Sequence, residues 1–161
     1  MNGTKERLLA FLRAHQVLTV AVPASDGGPH AAALFYAVDD QLRLYVLTDP
    51  LTQHGRAMER DPRVAGTIQR DGQQWLEIQG IQFRGQCHKL TGEEMARGWV
   101  LYLQRFPFLQ QGDSALAVAL KTTALWQIEP TWMRLIDNRL GFGHREEWAH
   151  ERQSCASDPT G

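Results

Sequence analysis

With 161 residues the chain suits a single domain large enough to bury a substantial core. A formal net charge of −1 offers no one-signed basic field for a nucleic-acid backbone, and runs such as Ala115 to Leu120 are far too short to cross a bilayer. Cys87 and Cys155 are too few for a disulfide framework and lack CxxC spacing, so their thiols are expected to be reduced.

From Thr4 to Ala14 the apolar residues Leu8, Leu9, Phe11 and Leu12 follow helical spacing, with Thr4 as the expected cap. Lys5, Glu6, Arg7 and Arg13 interrupt this segment. It therefore lacks the continuous apolar core of a secretory signal, and the chain reads as soluble and cytoplasmic. Val17 to Val22 reads as a strand, ended by Pro23 and the turn-forming Ser25-Asp26-Gly27-Gly28. Pro29 to Val38 returns as its partner, with His30 near its start and three consecutive alanines. A lone histidine beside a turn is usually solvated.

Leu34 to Val38 and Leu42 to Thr48 form a hairpin across Asp39-Asp40-Gln41. Alternation turns Leu42, Leu44 and Val46 to one face and Arg43, Tyr45 and Leu47 to the other, one for a core and one for solvent or a partner. A short helix then begins at Asp49-Pro50 or at Thr52. Its free first-turn amides and dipole favour an anion, typically a phosphate. Thr52, His54 and Arg56 could add a hydroxyl, an imidazole and a guanidinium. Alternatively, Thr52 is only a cap, His54 a surface residue and Arg56 part of a solvated face.

Asp61-Pro62 breaks the chain, Arg63 to Gln69 supplies a fourth strand, and Asp71-Gly72 a turn. Trp75 to Leu90 reads as one long alternating strand in which Gly80 and Gly85 mark the bulges or bends of a small curled barrel. Thr91 and Glu94 form a capping-box pattern before a helix carrying Met95, Trp99, Tyr102, Leu103 and Phe106 along one side, ended at Pro107. That stripe reads as core or dimer contact. Asp113 to Lys121 suits a short helix or a buried strand, with helix preferred. Leu125 to Glu129 and Trp132 to Ile136 read as strands flanking Pro130. The loop Asp137 to Gly143 has two glycines whose backbone freedom permits close approach to a ligand. One domain is expected over residues 1–148, followed by a polar tail, 149–161, read as frayed or disordered.

Several chemistries are argued against by missing patterns. Gly141-Phe142-Gly143 lacks the spacing and context of a dinucleotide fingerprint, and no Walker-type lysine occurs. The six histidines are scattered without an HxH or HExxH pair, and GxSxG is missing. Cys87 and His88 are sequence neighbours whose side chains point to opposite faces of a strand, so they are not expected to form a catalytic pair. No catalytic residue stands out.

The order of elements, with Thr48-Asp-Pro-Leu-Thr52-Gln53-His54-Gly-Arg56 running into Asp61-Pro62-Arg63-Val64, resembles the pyridoxamine 5′-phosphate oxidase-like family. Leu18-Thr19-Val20 before a Gly-Pro-His turn, and Gly80, extend the likeness from about Leu8 to Leu90. The later Asp137-Asn138-x-Leu140-Gly141-Phe142-Gly143 resembles an uncharacterised bacterial subgroup of it. The resemblance implies an α+β fold, mainly β: a six-stranded antiparallel split β-barrel with flanking helices, usually a homodimer binding FMN at the subunit interface. It implies that the strand Ala32 to Ala37, with Ala32, Ala33, Leu34 and Phe35, runs along the flavin. Leu47 and Thr48 would touch it, and Thr52, Gln53 and His54 would hold the phosphate. Positions that are basic in the oxidases themselves, corresponding to Ala32, Ala37, Gln53 and His54, carry no permanent cation here. Arg56, Arg60 or a partner-chain arginine such as Arg139 would have to compensate. A phosphate contact through His54 should weaken above neutrality.

The expected function is accordingly that of a dimeric FMN-binding protein, a flavin reductase or small oxidoreductase, without pyridoxamine phosphate oxidase activity. The alternatives are a flavin-free binding or structural dimer on the same fold, or a protein binding haem or a deazaflavin.

Overall fold

The computed structural model describes residues 2–112 and 114–150. Helix α1 (Asn2–Ala14) leads into strands β1 (Val17–Pro23), β2 (Pro29–Val38) and β3 (Leu44–Thr48). Helix α2 (Gln53–Arg60) is followed by β4 (Arg63–Gln69) and β5 (Gln79–Lys89), then helices α3 (Gly92–Arg105) and α4 (Ser114–Leu120). Strands β6 (Ala124–Asp137) and β7 (Arg145–Ala149) complete the described elements. All neighbouring strands are antiparallel, in the order β3-β2-β1-β4-β5-β6-β7. Pairing of β3 with β6, from Leu44 opposite Ile128 to Thr48 opposite Ala124, closes the first six into a barrel and leaves β7 outside. The fold is therefore the expected α+β, six-stranded antiparallel barrel with flanking helices.

Strand alternation fills the barrel. Leu18, Val20, Tyr36, Leu44, Val46, Ile68, Ile81, Phe83 and Ile128 are buried in one core with Leu8 and Leu12 of α1 and Ala57 and Met58 of α2. Removing a leucine of this size from water contributes roughly 1.5–3 kcal/mol, so Leu8 and Leu12 alone fasten α1 to the barrel. The Tyr36 hydroxyl, buried beneath the helix, donates to the Leu12 carbonyl at 2.7 Å and is thereby satisfied. A second cluster lies outside the barrel, where Tyr102 of α3 and Phe106 just beyond it cover Ala37, Tyr45 and Leu125. The outer face of β3 thus meets a helix of its own chain.

Several local expectations need correction. Strand β3 begins at Leu44 because Leu42 adopts a left-handed backbone, φ 66°, closing a turn that Asp39 organises through bonds from the Gln41 and Arg43 amides. Thr4 lies inside α1 and its hydroxyl donates to Glu146 instead of capping the helix. Thr91 occupies the position before α3 but its side chain makes no capping bond. Trp75–Glu77 form a short 3₁₀ turn, so β5 starts only at Gln79. On the α3 stripe, Met95 remains exposed, whereas Gly98 is buried against Leu125, Leu90 and Tyr45.

Strand β6 is one 14-residue element running through Pro130. The register shifts at Gly85, which faces Pro130 while Arg84 faces Trp132, so Thr131 is an extra residue in β6. A bulge of this kind accommodates a proline that cannot donate to the ladder. A Cβ on Gly85 would lie 2.3 Å from the Glu129 carbonyl oxygen, which explains glycine there. Gly80, in contrast, sits in regular register opposite Gln69 and Ile136. Residues 114–120 are helical, as preferred; Asp113, at the start of the expected segment, lies outside the described residues. Ala149 belongs to β7, and the His150 amide donates to Thr131, so the sheet passes the boundary expected at 148. Residues 151–161 of the expected tail lie outside the described residues.

Candidate functional site

Where β3 ends and α2 begins, the chain turns within four residues. Asp49 organises the turn: its carboxylate accepts from the Leu51 amide, and its carbonyl accepts from the Thr52 amide and hydroxyl. Thr52, with extended backbone angles, then caps α2 by accepting from the Gly55 amide at 3.1 Å. The helix therefore starts after Thr52, not at Asp49-Pro50. Gly55 is buried against this turn, and a Cβ there would meet the Asp49 and Pro50 carbonyl oxygens at 2.6 and 2.8 Å. The tight approach lets His54 fold back onto β3. Its Nε2 lies 2.7 Å from the Thr48 hydroxyl, itself buried, and the Thr48 carbonyl accepts from the Trp126 indole at 3.3 Å.

His30 of β2 lies alongside. The two imidazoles stack nearly parallel, 7° between planes and 6.1 Å between centroids. Both are half-buried. Burial first, and the charge of His30 second, hold the His54 pKa below its ordinary value. Apart from the Thr48 contact, neither imidazole has a hydrogen-bond partner among the described residues. Three ring nitrogens are thus available to a ligand. The pairing with Val22 and the strand alternation place His30 on the inner face with Ala32 and Leu34.

The structure brings Thr48, Thr52 and His54 together, while Gln53 and Arg56 lie on the exposed side of α2. Strand β2 divides the remaining candidates. Ala32 and Leu34 pack toward the barrel core. Ala33 and Phe35 are exposed on the outer face, where Phe35 is edge-on to Phe106, 5.7 Å between centroids. A planar ring lying flat on β2 could therefore use only one of these two sets. Leu47 lies on the outer side of β3 in the cluster beneath α3. His30 is the member that reading along the chain missed. The available signal was its two-residue spacing from Ala32.

The Asp137–Gly143 loop forms the other polar cluster. The Asp137 carboxylate accepts from Gln79 at 2.9 Å and from the Arg139 amide and guanidinium at 2.9–3.1 Å. The Arg139 contact holds its pKa below the usual carboxylate range. Asn138 ties the loop to the Trp75 carbonyl, and Gly141 and Gly143 adopt the positive φ values their position requires, 133° and 77°. Arg139 is thus engaged within its own chain.

Six antiparallel strands closed into a barrel, with α1 and α2 packed on its core, form a split-barrel fold. The family profile described as pyridoxamine 5′-phosphate oxidase matches residues 4–137, and the chain belongs to that family. It is 31% identical over 150 residues to the UPF0306 protein of Photorhabdus laumondii, a match spanning 92% of this chain and 99% of that one. Two solved structures share the fold. A putative pyridoxamine 5′-phosphate oxidase from Listeria innocua superposes with a TM-score of 0.63 at 22% identity, covering 82% of this chain and 97% of that one. HutZ, the haem storage protein of Vibrio cholerae, superposes with a TM-score of 0.66 at 15% identity, covering 89% and 92%.

Proposed function

We propose that this protein is a homodimeric FMN-binding split-barrel protein, a flavin-dependent oxidoreductase or flavin reductase. The observation that carries the reading is the cluster of Thr48, His54 and the Thr52-capped first turn of α2, where the His54 imidazole folds back onto the Thr48 hydroxyl at the helix start. Thr52, Gln53 and His54 would hold the phosphate. Ala33 and Phe35, exposed on the outer face of β2, would face the ring system across a dimer interface. Bound FMN would supply electron transfer, and the chain would supply binding and orientation.

The oxidases' basic phosphate ligands are replaced at Ala32, Ala37, Gln53 and His54. A charge-assisted hydrogen bond is worth about 1.5–3 kcal/mol, so FMN affinity should be modest and depend on His54 or Arg56. That deficit disfavours pyridoxamine phosphate oxidase activity. The purified protein should show flavin bands, or bind added FMN saturably at tens of micromolar or below; neither result would defeat the FMN reading. Size measurement in solution should give a dimer, and a monomer would remove the interface-built pocket.

Haem is the second reading, favoured by the shared fold of the haem storage protein HutZ. A Soret band in the purified or haem-titrated protein, without flavin bands, would select it.

A further inference from the structure

We propose that His30 and His54 form a proton-linked clamp for a phosphate monoester, in which both imidazoles become charged as the anion binds. The inference rests on the phosphate position assigned under the FMN reading. It adds His30 to the site and makes protons a co-ligand.

The geometry supports the clamp in three ways. The rings stack nearly parallel across 6.1 Å, so one anion can approach both. Three of their four nitrogens have no hydrogen-bond partner among the described residues, and the fourth meets a hydroxyl, which can accept from a protonated ring as well as donate to a neutral one. Among the described residues, no carboxylate forms an ion pair with either imidazole. Asp49 accepts from the Leu51 amide, and Glu59 of α2 pairs with Lys89 of β5 at 2.5 Å. Asp61, beyond α2, pairs with Arg63. Arg56 projects from the exposed side of α2, and β1 contributes no titratable side chain. On β5, His88 faces Glu94 and Arg84 stacks on Trp132.

Two adjacent imidazolium ions repel, so the empty site resists double protonation. An anion bridging the N–H edges of the two rings reverses that preference. Linkage then requires binding to take up protons and to weaken as pH rises. The phosphate's own ionisation near pH 6 works in the opposite direction, so a fall in affinity above that pH reports on the protein.

The test is FMN titration of the full chain from about pH 6 to about pH 8, with calorimetry in buffers of different ionisation enthalpy. At least a tenfold loss of affinity across that range, with uptake of more than one proton near pH 7, supports the clamp. His30→Gln and His54→Gln should each lower the uptake and flatten the pH profile, with unchanged circular dichroism confirming that both variants fold. Wild-type uptake and slope in His30→Gln would overturn the clamp while leaving the FMN reading standing. If FMN binds at no pH, the FMN reading fails instead, and proton NMR titration of the histidines with millimolar inorganic phosphate decides the clamp. Raised titration midpoints for both rings support it, and unmoved midpoints overturn it.

Discussion

At one end of β5, the Asp137 carboxylate is surrounded by donors from Gln79 and Arg139, while Asn138 bonds across to the Trp75 carbonyl. At the start of α2, the His30–His54 pair keeps three nitrogens without a hydrogen-bond partner among the described residues. Both clusters are polar, partly buried and shaped by nearby glycines. The first uses its donors and acceptors on its own chain, so it serves the fold. The second retains donors beside a helix start, so it is the better place to look for a ligand. The glycines of the Asp137–Gly143 loop therefore shape a structural clasp, although glycine content alone was equally compatible with ligand approach.

Breaking the saturated cluster should have the largest effect. Asp137→Ala removes the buried acceptor shared by Gln79 and the exposed Arg139, and should cost about 2–3 kcal/mol. Urea denaturation measures this; a loss below about 1 kcal/mol would mean that the carboxylate does not hold the loop. Gly55→Ala tests the support of the other cluster. Its new Cβ would press on the Asp49 and Pro50 carbonyls and should destabilise by about 2 kcal/mol. His54→Ala should be nearly silent in denaturation yet weaken FMN about tenfold, equivalent to about 1.4 kcal/mol. Unchanged affinity would reduce this helix start to a cap.

The smallest contrast is in pH dependence. Arg139 beside Asp137 and Arg7 beside Glu146 hold both carboxyls below their ordinary range. Their contribution to stability is present above the unfolded carboxylate pKa and is lost as pH falls from about 4 through the lower folded values. His54 has the opposite charge but also a lowered pKa, so the unfolded chain binds its proton more readily. Stability of the ligand-free protein should therefore rise with pH in the range just below 6.5. Denaturation midpoints of wild type and His54→Gln across that range test this, with a flatter profile expected for the variant.

The barrel was legible because alternation and turn residues mark β1, β2, β4 and much of β5 directly. What escaped was set by contacts distant in sequence. Strand β7, read only as the end of the chain, alternates Glu146 and Trp148 on its inner side, and an inward glutamate looks wrong until Arg7 is brought to it. Pro130 divided β6 on paper because the bulge that accommodates it depends on Gly85 of another strand. Thr48, Thr52 and His54 could be grouped because a strand end and a helix start lie within a few residues. His30 is 24 positions from His54, and only β2 packing beside α2 shows that the two belong together.

The meeting of α1 and β7 has a kinetic consequence. Thr4 and Arg7 reach Glu146 across 142 and 139 residues, so this clasp joins the first and last described elements. Contacts of such high sequence separation pay loop-closure entropy before they return stability. The clasp should thus form after the barrel's rate-limiting step. Weakening it through Arg7→Ala should accelerate unfolding while leaving the refolding rate almost unchanged.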